Sequence, residues 1–76
     1  MALIKAFERK DLERNKRHDP IEASFTSFTD GDQKIVQIDT CGRATRAIPG
    51  KKSQTIQLDE QSARELVAIL RREFQL

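Results

Sequence analysis

Between Asp59 and Phe74 the apolar residues Ala63, Leu66, Val67, Leu70 and Phe74 fall at i, i+3, i+4, i+7 and i+11, one continuous stripe of a helix. No other segment constrains the fold as tightly. Asp59 is placed to cap this helix, and Glu60 puts an acid in the first turn, where the helix dipole favours one. Glu60 and Arg64 form an i,i+4 pair in the favourable order. Arg71 and Arg72 fall in the last turns, beside the carbonyl end. Ile69 lies beyond the stripe, among Ser62, Glu65 and Glu73, and widens the apolar face on one side. A helix that touches both its own sheet and a second subunit needs such width, which marks Leu66, Ile69, Leu70 and Phe74 as a candidate dimer interface.

The segments before the helix alternate with the period of strands. Ser53 to Leu58 sets Ile56 and Leu58 against Thr55 and Gln57. Ile21 to Thr29 and Gln33 to Thr40 flank Asp30-Gly31-Asp32, a turn signal that makes them a hairpin. Phe28 falls on the polar face of the first of these strands, so a bulge intervenes or that face is also covered. Met1 to His18 holds six bases and three acids and ends at Asp19-Pro20, where the residue before proline leaves the helical region. The division is a charged N-terminal arm, 1–19, and a single small α+β domain, 20–76. The expected fold is a small antiparallel sheet of three to four strands with one C-terminal amphipathic helix packed across it.

At 76 residues the chain buries only about 60% of its unfolded surface, which leaves a marginal core. Cys41 is the one cysteine and His18 the one histidine, so no intramolecular disulfide forms and four-ligand zinc is out of reach. No metal or other cofactor is expected. Oligomerisation is the remaining way to stabilise so small a fold, and a homodimer is expected. A lone thiol suits a reducing compartment. Met1 to Phe7 is too short an apolar run for a signal peptide or a membrane span. A cytoplasmic protein is the expectation.

Catalysis has little to work with, and no enzyme is expected. Cys41 has no neighbouring base in sequence, and His18 sits in the charged arm. Asp30 and Asp32 flank a glycine without the rest of a calcium loop. Gly42 and Gly50 lack the Gly-Lys-Ser/Thr that would make a phosphate loop. Charge points elsewhere. The net charge is only +2, yet Cys41 to Leu58 contains Arg43, Arg46, Lys51 and Lys52 and no acid. A basic segment feeding a strand suits a polyanion, most simply a nucleic-acid backbone. Thr55 and Gln57 would contact it from the sheet, and Phe28 would offer a base a surface to stack on.

The run Pro49-Gly50-Lys51-Lys52-Ser53-Gln54-Thr55-Ile56-Gln57-Leu58-Asp59-Glu60-Gln61-Ser62-Ala63-Arg64-Glu65-Leu66 resembles the end of the transcriptional positive-cofactor-four family of single-stranded-DNA-binding proteins. There a basic Pro-Gly segment leads into the last strand, an acid-bearing helix start and a leucine-bearing helix. The resemblance covers about a quarter of the chain. It implies a homodimer formed through the helix, single strands bound across the sheet, and a role in transcription. That family has four strands. Three are clear here, and a fourth would come from Leu3 to Phe7 or from Arg43 to Ile48. The expected partner is nucleic acid, single-stranded DNA or RNA first. The alternative is an adaptor or regulatory subunit that binds a protein through the wide helix face and a sheet edge.

Overall fold

The hairpin turns where the alternation requires. Asp30 and Gln33 pair across a two-residue connection, and Gly31 sits at φ 63, the left-handed region that the first central position of such a turn demands. In the computed structural model, which describes residues 1–41 and 52–76, this turn joins β2 (Ala23–Asp30) to β3 (Gln33–Cys41). The pairing runs unbroken from Ala23↔Thr40 to Asp30↔Gln33, so no bulge shifts Phe28 off the polar face. β4 (Lys52–Leu58) runs antiparallel along the other side of β3. The register slips at Thr40/Cys41, where Thr40 opposes Gln54 and Cys41 opposes Lys52, and Thr40 Oγ1 accepts the Gln54 amide at 3.1 Å.

The fourth strand comes from the start of the arm. β1 (Ala2–Ile4) pairs in parallel with β4, with Ala2 opposite Ile56 and Ile4 opposite Leu58. The order is β1-β4-β3-β2, a mixed sheet with β1 and β2 as its edges. The alternative source, Arg43 to Ile48, lies outside the described residues.

Residues directly opposite across a ladder share a face, so the register sorts the sheet chemically. One face carries two cross-strand rows, Ala2–Ile56–Ile38–Phe25 and Ile4–Leu58–Val36–Ser27, almost wholly apolar. The other carries Leu3–Gln57–Gln37–Thr26 and Thr55–Asp39–Ser24, with Phe28 beside Ile35 toward the hairpin.

α1 (Glu60–Phe74) follows β4 after a single residue. Asp59 accepts the Ser62 amide at 3.0 Å, and Ser62 Oγ accepts the Asp59 amide at 3.1 Å, a reciprocal capping box. Ser62 is fully buried. The expected Glu60–Arg64 pair forms at 3.5 Å. Gln75 closes the helix in the left-handed conformation, φ 55, and the Leu76 amide bonds the Arg71 carbonyl.

The helix is not laid across the sheet as expected. It touches β3 and β4 sparsely, and Val67 and Phe74 remain 53% and 69% exposed. With one residue between strand and helix there is no slack to fold back. The arm also runs along the helix: Lys5 pairs with Asp59, the Phe7 amide donates to Glu65 at 3.1 Å, and Arg9 pairs with Glu73 at 2.9 Å. Ile69 faces this arm, lining an open cleft of about 490 Å³ with Phe7 and Ala68. Among the described residues only Ile35 and Leu58 are buried apolar side chains. No helix among them is long and apolar enough to cross a membrane.

Candidate functional site

The polar sheet face is built by parity. Gln37 and Asp39 on β3 point the same way as Thr55 and Gln57 on β4, and pairing sets Gln37 beside Gln57 and Asp39 beside Thr55. Their side chains join into one network. Gln57 Nε2 donates to Gln37 Oε1 at 2.9 Å. Gln37 Nε2 in turn donates to both oxygens of Asp39, at 3.2 and 3.1 Å. Thr55 Oγ1 donates to Asp39 Oδ1 at 2.6 Å. Asp39 is only 4% exposed, so its carboxylate is held inside the face with its oxygens occupied.

The network fixes side chains that would otherwise rotate. Gln57 is half-buried and uses one amide proton, and its carbonyl oxygen has no partner among the described residues. An amide held in this way presents an acceptor and a second donor in a set orientation, the equipment for bonding to a base edge or a sugar. Phe28 lies on the same face, 40% exposed, one pair of rows toward the hairpin. Thr55, Gln57 and Phe28, chosen from the sequence, are therefore brought to one face. Thr55 and Gln57 are half-buried there and not fully open.

Asp39 is the residue that sequence reading missed as a member of this group. Its signal was available: it shares the parity of Gln37 and lies within a strand, where an acid needs donors around it.

The basic segment is attached at one end of this sheet. Cys41 and Lys52 oppose each other where the chain leaves β3 and re-enters β4, the end away from the hairpin and the helix start. Arg43, Arg46 and Lys51 lie outside the described residues. Lys52 is placed by its backbone at the first position of β4. In the arm, Arg9 is bound to Asp11 and Glu73, whereas Lys10, Arg14, Lys16 and Arg17 are exposed.

At the helix start, the Lys5 ammonium bonded to Asp59 draws that carboxyl from 3.8 down to about 2, and the Ser62 amide adds to the effect. This is a capping arrangement, and Asp32, Lys34 and Glu60 line the open cleft beside it. His18 is exposed in the arm and Cys41 half-buried at the end of β3. Among the described residues no cluster of three His, Cys, Asp or Glu side chains could hold a metal. No protein-family model, curated protein or solved structure matches the chain.

Proposed function

We propose that this chain is a non-catalytic nucleic-acid-binding protein that takes single-stranded DNA or RNA across its polar sheet face and works as a homodimer, in the setting of transcription that the positive-cofactor-four resemblance implies. The observation that carries the reading is the chemical division of the sheet. One face holds an oriented polar network with an aromatic ring beside it, and the opposite face is apolar. Thr55 and Gln57 bond to the strand, Phe28 stacks on a base, and Arg43, Arg46, Lys51 and Lys52 neutralise phosphates from the end where their segment joins the sheet. Stacking on a single phenylalanine contributes about 1–3 kcal/mol, so affinity rests mainly on charge.

A mobility-shift comparison of single-stranded DNA, duplex DNA and RNA at two salt concentrations tests this. The single strands are expected to bind more tightly than the duplex, and Phe28→Ala to weaken binding without altering the fold. A specific observation favours the adaptor alternative: Val67 and Phe74 stand exposed on the helix face, and β1 and β2 are edge strands. Absence of any nucleic-acid binding at low salt moves the function to those surfaces.

A further inference from the structure

The two apolar rows of the sheet are treated differently by the fold. In the row nearer the helix start, Leu58 is 6% exposed. In the next row, Ala2–Ile56–Ile38–Phe25, Phe25 is 79% exposed and Ile56 37%. This second row crosses all four strands, with Ile38 half-buried at its centre and Ala2, Ile56 and Phe25 exposed. The chain's own helix is in no position to cover it, since one residue separates it from β4 and three arm contacts hold it.

A second bare surface lies on the same chain. The helix stripe leaves Val67 53%, Leu70 38% and Phe74 69% exposed. The two surfaces match in size. Three inter-strand spacings make the sheet row about 14 Å long, and the eleven-residue rise from Ala63 to Phe74 is about 16 Å. Both are apolar, and the stripe is edged by Arg64 and Arg71.

We infer that the helix stripe of one copy covers the Phe25–Ile38–Ile56 row of a second copy, and that the partner's helix returns the same contact. The structure argues for a second copy over another protein. Each chain carries both halves of the contact, so a two-fold arrangement closes with every such surface satisfied. The helix stripe and the sheet row give each copy two apolar surfaces to contribute toward the roughly 800 Å² per partner of a stable interface. This specifies the homodimer of the preceding reading but does not depend on nucleic acid. It also differs from a seam made of helix against helix, because each half pairs unlike surfaces.

That difference sets the experiment. Phe25→Lys and Val67→Glu both alter exposed side chains, so each variant is expected to keep the circular dichroism of the parent. Sedimentation of the full chain without nucleic acid should show a dimer for the parent at micromolar concentration. Each variant alone should dimerise at least about 30-fold more weakly, because it buries an unpaired charge twice. An equimolar mixture should recover the dimer. In the mixed pair, the unaltered sheet of one chain meets the unaltered helix of the other, and in the remaining half the introduced lysine meets the introduced glutamate. A monomeric parent overturns the inference. So does loss of dimer with Val67→Glu but not Phe25→Lys, or a mixture that stays monomeric. None of these results bears on whether the polar face binds a single strand, which the mobility shift reads separately.

Discussion

Ser62→Ala removes one hydroxyl from the junction of β4 and α1, and the structure sets the size of the effect. Ser62 Oγ accepts the Asp59 amide at 3.1 Å and donates to Asp59 Oδ1 at 3.0 Å. Ser62 is fully buried, so no water replaces the lost acceptor. A buried donor left without a partner costs about 1–3 kcal/mol. The other half of the capping box, from the Ser62 amide to Asp59, survives the substitution. A loss of about 1–2 kcal/mol is therefore expected. For a domain of this size that lowers Tm by roughly 5–15 °C. The assay is thermal unfolding by circular dichroism at one fixed protein concentration, since self-association also raises Tm. Gln61→Ala, an exposed neighbour, serves as control and should stay within about 0.5 kcal/mol. A Ser62→Ala protein as stable as that control would refute the claim that the junction is a closed, buried box.

The Asp59 carboxyl is pulled down to about 2, so the stability it contributes is complete above its ordinary 3.8 and disappears as pH falls toward 2. Lys5→Ala should accordingly lower Tm most above about pH 4 and match the parent near pH 2; a constant gap across that window contradicts the Lys5–Asp59 assignment. Gly31→Ala places a side chain at φ 63 with no atom within 4 Å of its Cβ, so the cost is conformational, about 1–2 kcal/mol. Its denaturant midpoint should fall with the slope unchanged, and Gly31→Asn should lose less, because asparagine tolerates the left-handed region better.

What the sequence revealed and what it concealed divide by the range of the interaction. The helix, its Asp59 cap, the Glu60–Arg64 pair and the Asp30–Asp32 hairpin depend on neighbours within four residues, and each forms as read. Phe28 was legible as a residue on the polar face because strand parity is local. Its partner Ile35 could be identified only once the register was known. β1 is three residues long and pairs with a strand far along the chain, a parallel pairing that no local pattern announces. Ile69 shows the same limit. Its position beside the stripe was visible, but its neighbour Phe7 comes from the far end of the chain. Periodicity likewise showed which side of α1 is apolar and said nothing of what covers it. The absence of slack after Asp59, which leaves that side bare, could have been read from the spacing of Leu58, Asp59 and Glu60. In the candidate site, the alternation of Thr55 and Gln57 was visible, while their bonds to Asp39 and Gln37 required the pairing of β3 with β4.

The proposed binding of a single strand through phosphate neutralisation by the basic segment predicts a steep dependence on salt. Fluorescence anisotropy of a labelled single-stranded oligonucleotide, titrated with protein at a series of salt concentrations, gives the slope of log affinity against log salt. Each neutralised phosphate contributes about −0.7 to that slope. The Lys51→Ala, Lys52→Ala double variant should weaken binding to every sequence and flatten the slope by up to about 1.4. Gln57→Ala should lose affinity with the slope unchanged, because it removes a hydrogen bond and no charge. A double variant that binds with the parent's slope, or a parent that binds no single strand even at low salt, contradicts the account.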